Sequence, residues 1–256
     1  MLSRQPSEPR EHNRTRRSFA RPCIVIIILA GLGCLLNGPG LAQPLGPILV
    51  GQVKFNGVVP SPFEITVTNE DEMEFCGEKL FIQPLTVNSV THGVEGAVVS
   101  VKTPKEEGVQ GKSLSVPHRM VANVQCQFNP RVVVAQRGDM LEVQNLDPIL
   151  HQTHLTQGER TRMNIAQLPQ GKSVWKKLEK AGVYHFRCDK HKFMDAYLLV
   201  FDHPFFSKTN TNGIFRMVGL TPGNQTIQVW HETLGILEKE ITLPDHGIVN
   251  IDLVYP

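Results

Sequence analysis

From residue 43 onward the chain consists of short apolar runs rich in Val, Ile, Phe and Thr, cut by Gly, Pro, Asn and Asp. Several runs alternate apolar with polar residues, the period of a strand with one buried face. No stretch sustains a helical period. Strands are predicted over residues 48–55, 63–68, 97–101, 132–135, 140–144, 174–178, 183–188 and 197–202. The turn signals fall at the spacing of a sandwich or barrel, so the fold class is all-β. Residues 103–119 are polar and rich in Gly and Lys, a surface loop, and residues 160–172 read as a short helical turn. Past Asp202, His203-Pro204 breaks the strand, and turns at 210–213 and 221–223 frame strands over 214–218 and 226–230. Residues 203–256 thus read as a small β-sandwich appendage, and roughly 50 residues are too few for a core of their own, so it packs on what precedes it.

The first 42 residues have another pattern. Residues 1–22 are polar with six arginines, Cys23 to Leu36 is apolar, and Asn37 to Ala42 relaxes into small residues. That is the outline of an export signal cut after Ala42, and its apolar run is too short to span a bilayer. Thr15-Arg16-Arg17-Ser18-Phe19-Ala20-Arg21 resembles the twin-arginine signal, with a Sec signal as the alternative. Gly31, standing where a lipobox takes Leu, argues against a lipoprotein at Cys34. The expected localisation is the periplasm or another exported compartment.

Composition changes the picture mainly through export. The whole chain carries 26 basic and 24 acidic residues, a formal net charge of +2; without the leader it carries 20 and 22, a charge of −2. No basic block remains to suggest nucleic acid, and no second apolar run suggests a membrane span. Export also leaves three cysteines, Cys76, Cys126 and Cys188. In an oxidising compartment two should pair and one should be left over. Cys76 and Cys126 lack metal spacing and most simply form the disulfide, contributing roughly 2 to 4 kcal/mol over so long a loop.

Cys188 sits in Gly182-Val183-Tyr184-His185-Phe186-Arg187-Cys188-Asp189-Lys190-His191-Lys192-Phe193-Met194, a strand running into Cys-x-x-His-x-x-Met. Thiolate, imidazole and thioether on one loop form a soft donor set, and one Cys and two His with a weak axial Met is the blue-copper arrangement. The second His comes from Gly138 to His151, a turn, a strand and a His beyond the strand's end. Taken singly, Cys188 reads as a small buried hydrophobe, Met194 as core filler and His151 as a turn residue. His154 and His185 each lie three positions from a proposed ligand, on the opposite face of an extended strand. Trp230-His231-Glu232, with His203, reads as a packed Trp beside polar residues rather than a second polar site.

A strand ending in Asn, a few turn residues and a His, followed later by Cys, His and Met on one loop, resembles the blue-copper cupredoxins: plastocyanin, azurin and amicyanin. The loop spacing, Phe193 before Met194, His151-x-x-His154 and Phe128-Asn129-Pro130 are most similar to amicyanin. The resemblance covers residues 126–201 and implies a Greek-key β-sandwich in which His151, Cys188 and His191 are equatorial copper ligands and Met194 the axial one. The family usually has Asn after the first His, its side chain tying the ligand segments together; this chain has Gln152 there. Thr209 to Gly213, Ile214-Phe215-Arg216 and Leu220-Thr221-Pro222-Gly223 resemble the carboxypeptidase regulatory-like, transthyretin-like sandwich, which implies a structural or docking module. The combination resembles proteins called methylamine-utilisation proteins, a label that establishes no substrate.

The expected organisation is an export signal (1–42), N-terminal strands packing with the cupredoxin (43–125), the copper-site region (126–202) and the appendage (203–256). The expected function is one-electron transfer by bound copper, with a redox protein docking at an exposed His191 edge beside Lys190, Lys192 and Phe193. No Ser/His/Asp pattern, paired-carboxylate motif or phosphate-cradling Gly loop suggests an enzyme. A copper carrier or storage protein and a metal-free structural β-protein are the alternatives.

Overall fold

The structure, a computed structural model, describes residues 46–102 and 119–256. The expected export leader, 1–42, and nearly all of the expected loop, 103–119, lie outside the described residues. Eighteen strands and one helix are found among the described residues. The chain runs from β1 (Ile48–Phe55) through β2 (Phe63–Thr66), α1 (Glu70–Cys76) and β3 (Lys79–Ile82) to β4 (Val98–Val101). It continues as β5 (Met120–Val124), β6 (Gln127–Asn129), β7 (Val132–Gln136), β8 (Met140–Asn145), β9 (His151–Gln157), β10 (Arg160–Gln167), β11 (Val174–Lys177), β12 (Gly182–Cys188) and β13 (Asp195–Phe201). It ends with β14 (Phe206–Lys208), β15 (Ile214–Met217), β16 (Gly223–His231), β17 (Gly235–Leu243) and β18 (Ile248–Tyr255).

Strands β5 to β13 form a cupredoxin-like sandwich. One sheet has the order β10-β9-β12-β13-β7 and the other β11-β8-β5-β6. β7 runs parallel to β13 and β5 to β8, while the remaining pairs are antiparallel. The core between the sheets holds Val121, Leu141, Val143, Leu155, Phe186 and Leu198.

The strand period explains why so many residues of this region are buried. In β13, Ala196, Leu198 and Val200 face that core, whereas Leu199, with Tyr197 and Phe201 against it, faces the other way onto Val98, Phe206 and Trp230. β7 divides likewise, with Val133 and Ala135 on one side and Val132 and Val134 on the other. A sheet covered on both faces needs apolar residues at every position, which is why these strands read as continuous Val/Leu runs.

Against that outer face packs a second sandwich of sheets β15-β1-β18 and β14-β4-β16-β17, around Leu49, Val53, Val99, Phe215, Ile227 and Leu253. The appendage read from residues 203–256 is therefore completed by β1 and β4, which supply the area that so short a segment cannot bury alone. β1 pairs in parallel with β18 from Ile48↔Ile248 to Phe55↔Tyr255. These pairings run across the linear divisions drawn from the sequence, since β1 and β4 join the C-terminal strands while β5 joins β8.

One local expectation is overturned. Residues 160–172 carry no helical turn; β10 pairs antiparallel with β9 through residue 167. Its outer face is polar because only one side meets the core, and that muted the alternation. The Cys76–Cys126 disulfide is present, with Cα atoms 5.7 Å apart and 50 residues of separation. A loop of that length corresponds to about 4 kcal/mol of chain entropy.

Candidate metal centre

The first ligand segment is set by Asn145 at the end of β8. Its buried side-chain amide donates to the carbonyls of Ile149 (2.8 Å), Gln167 (3.0 Å) and Leu168 (3.1 Å), and its oxygen accepts from the Asp147 N–H at 3.1 Å. These bonds fold residues 145–150 into a fixed turn that delivers His151 to the start of β9. The second segment is the end of β12, where the Asp189 N–H donates to the Gln152 carbonyl at 3.0 Å and locks the two segments side by side. The loop then closes on itself, with Met194 N–H to the His191 carbonyl (2.9 Å) and Cys188 N–H to the Met194 carbonyl (3.3 Å).

Three donor atoms meet. His151 Nδ1 and His191 Nδ1 are 3.0 Å apart, and Cys188 Sγ lies 3.9 Å and 3.5 Å from them. All four sequence-derived site residues are buried, His151 at 0%, Cys188 at 2%, His191 at 1% and Met194 at 1% exposure. Met194 belongs to the same apolar cluster as Cys188. The Gln152 N–H donates to Cys188 Sγ at 3.4 Å.

Both imidazoles turn their outer nitrogen to a carboxylate. His151 Nε2 lies 2.8 Å from Asp147 Oδ2, a carboxylate that also accepts the N–H groups of Gln125 (2.7 Å) and Cys126 (3.0 Å). Gln125 and Cys126 form the two-residue turn between β5 and β6, both at positive φ, 50° and 59°. Left-handed backbone costs an L-residue about 1–2 kcal/mol. Here that conformation aims both turn N–H groups at one buried carboxylate. The other outer nitrogen, His191 Nε2, has no hydrogen-bond partner, and Glu72 Oε1 of α1 stands 3.3 Å from it. A carboxylate behind a ligating imidazole fixes the proton on the outer nitrogen and leaves the inner lone pair for a metal.

The electrostatics follow from this packing. Burial pushes the Cys188 thiol up, but hydrogen bonding with His151, with His191 and from the Gln152 backbone outweighs it and brings the thiol down to about 6. Burial pushes His151 down, and bonding to Asp147 and Cys188 overcomes it, leaving His151 above its ordinary value. Asp147 is pushed up by burial and held below its ordinary value by His151 and the two turn N–H groups. Thiolate and two imidazole nitrogens around one buried point fit a soft first-row metal, copper or zinc.

His154 and His185 lie outside this cluster, as expected. His154 bonds Asp189 (3.1 Å) and Thr161 (2.8 Å), and His185 stacks on Tyr197 with centroids 4.8 Å apart. Gln152 does not reach the second segment directly. Its side-chain amide donates to Asn164 at 2.7 Å, and Asn164 donates to Asp189 at 3.1 Å, so the tie runs through an intermediary. His231 is buried beside Glu232, which pairs with Arg131 at 3.0 Å.

The expected exposed His191 edge is corrected. Lys190 and Lys192 are exposed, but His191 is covered by α1. The helix's Cys76 forms an apolar cluster with Val67 and Cys126, against which pack Met73 and two residues that neighbour the ligands, Ile149 and Phe193. A cleft of about 270 Å³ between Asn69, Glu72, Pro148, Leu150, Pro169 and Lys190 reaches down to His191. Sequence reasoning missed Asp147 and Glu72; an acid four residues before a ligand His was a signal for the first, and nothing local signalled the second.

No family model matches the chain, and no curated protein matches it. Among solved structures the chain is similar to a copper-containing nitrite reductase from Thermus scotoductus SA-01, at 23% identity and a TM-score of 0.30 over 39% of this chain. That match spans 25% of the nitrite reductase chain. It is also similar to amicyanin from Paracoccus versutus (16% identity, TM-score 0.30, 40% of this chain and 96% of that one). A purple cupredoxin from Nitrosopumilus maritimus matches at 16% identity and a TM-score of 0.29, over 32% of this chain and 97% of that one. The fold class, a cupredoxin-like β-sandwich, rests on the strand order and core described above. Among the described residues no helix is long and apolar enough to cross a membrane.

Proposed function

We propose that the chain is an exported type 1 copper protein acting as a one-electron carrier, in which His151, Cys188, His191 and Met194 would hold the copper. The observation that carries the reading is the convergence of Cys188 Sγ and two Nδ1 atoms within 4.8 Å of one another, all buried. Copper bound there would supply the redox chemistry, accepting and releasing one electron between Cu(I) and Cu(II). The protein's part is to hold the donors still. Asn145 fixes the His151 turn, Asp147 keeps the His151 proton on Nε2, the Gln152 N–H supports the thiolate, and the apolar shell excludes water. A redox protein is the proposed partner, and a carrier rather than an enzyme is the proposed role.

The visible absorption spectrum of the copper-loaded, oxidised protein tests this. An intense thiolate-to-copper band near ~600 nm that disappears in Cys188→Ala is expected. Stoichiometric copper without that band would move a carrier or storage role ahead. The burial of His191 under α1 favours that second reading, because a covered edge slows electron exchange with a partner while retaining the ion. A protein that binds no copper would leave the metal-free structural reading.

A further inference from the structure

Helix α1 has no residue in either sandwich core, yet it reaches the metal centre through Glu72, whose Oε1 stands 3.3 Å from His191 Nε2. α1 has seven residues, too few to persist alone in water. Asn69 caps it, accepting from the N–H groups of Asp71 (3.0 Å) and Glu72 (3.2 Å). Three acidic residues occupy its first turn, where the helix dipole favours them. That local order still leaves the helix free to lift away. Two further features hold it down: the apolar cluster of Val67, Cys76 and Cys126, against which Met73, Ile149 and Phe193 pack, and the disulfide from its last residue, Cys76, to Cys126.

We propose that α1 is a latched lid on the metal centre, with Glu72 as the group that seals the outer edge of His191 and the Cys76–Cys126 disulfide as the latch. The proposal rests on the reading of the cluster as a metal site. Glu72 is only 17% exposed at its side chain and stands 3.3 Å from His191 Nε2, a buried nitrogen with no hydrogen-bond partner. The latch is joined to the other ligand as well. Cys126 donates its backbone N–H to Asp147, 3.0 Å away, and Asp147 holds His151 Nε2 at 2.8 Å. One covalent joint therefore fixes both carboxylates that back the two imidazoles. Without the latch, α1 opens as a local unit, since loss of a cross-link removes stability from the segment it closes. The cleft beside Glu72, which reaches down to His191, then widens.

Accessibility in the metal-free full chain tests the lid without copper. Iodoacetamide alkylation of Cys188 and diethyl pyrocarbonate modification of His191 are followed by mass spectrometry of the peptides carrying them. In Cys76→Ala/Cys126→Ala, both rates rise by about tenfold or more, reflecting easier local opening. Rates equal to the wild type, in a variant whose far-ultraviolet circular dichroism is native, overturn the lid. Should the double variant fail to fold, Glu72→Ala decides: faster His191 modification, restored toward the wild-type rate by Glu72→Gln, supports the seal, and an unchanged rate overturns it. Copper stoichiometry of the wild type is measured in parallel, so failure of the copper reading shows there and not in these rates.

Discussion

Removing the Asp147 carboxylate gives the sharpest test of how the centre is held. In Asp147→Ala three bonds are lost, from Gln125, Cys126 and His151, at 2.7, 3.0 and 2.8 Å. Gln125 is exposed and its N–H turns to water. Cys126 and His151, both 0% exposed, are left with orphaned donors, at about 1–3 kcal/mol each or more where charge is involved. The expected loss is about 3–5 kcal/mol, the cost of breaking a buried ion pair from one side. Asp147→Asn can keep its oxygen for Cys126 and His151 and give up only the bond from the exposed Gln125 N–H, which turns to water away from the new NH2, so its loss is smaller, about 1–2 kcal/mol. The pH dependence has a definite sign. Asp147 is lowered from 3.8 on folding, so its contribution is present above that value and fades as the pH falls through the folded one. His151 is raised from 6.5, so its contribution is present below that value and fades as the pH rises through the folded one. The gap between wild type and Asp147→Ala is therefore widest near pH ~5, between the two. Urea unfolding of the metal-free protein, followed by Trp fluorescence from pH 3 to 8, measures it. A loss below about 1 kcal/mol at pH ~5, or a gap of constant size across the range, refutes the reasoning.

Two further outcomes follow from the same geometry. With the Cys188 thiol at about 6, the metal-free protein gains ultraviolet thiolate absorbance with a midpoint near that pH, absent in Cys188→Ser; a midpoint at the ordinary thiol value of 9.0 contradicts the hydrogen bonding described. Phe186 is fully buried and packs on Phe128 with centroids 5.7 Å apart, so Phe186→Ala costs about 3–5 kcal/mol, read as a lower urea midpoint at unchanged slope; a cost under 1 kcal/mol would mean that the core does not close as described.

The sequence carried the strands wherever a β period met a real interior. β1 runs over the residues the alternation indicated, and β12 begins one residue earlier than expected. The donor triad was legible because three of the four site residues lie within one loop and His151 is announced by the Asn145 turn. The disulfide was legible through the odd number of cysteines that follow residue 42. What stayed hidden is long-range. Glu72 and His191 are 119 positions apart, and an acidic helical turn reads as ordinary solvated surface until a ligand is found beneath it. β10 was obscured by its polar outer face. The pairing of β1 with β18 has no local signature, because parallel partners share only a ladder and a core.

That pairing makes the second sandwich a host into which the first is inserted. β4 and β14 lie side by side in antiparallel register, Val99↔Ser207, and the Val101 N–H donates to the Phe205 carbonyl at 3.1 Å, so the whole of β5 to β13 leaves and returns through neighbouring points. The inserted sandwich draws its strands from residues 120–201, whereas β1 must wait for β18, some 200 positions on. Loop closure over so long a separation comes late. The expected order is that the donor triad, drawn from positions 151–191, assembles before the β1–β18 ladder closes the host.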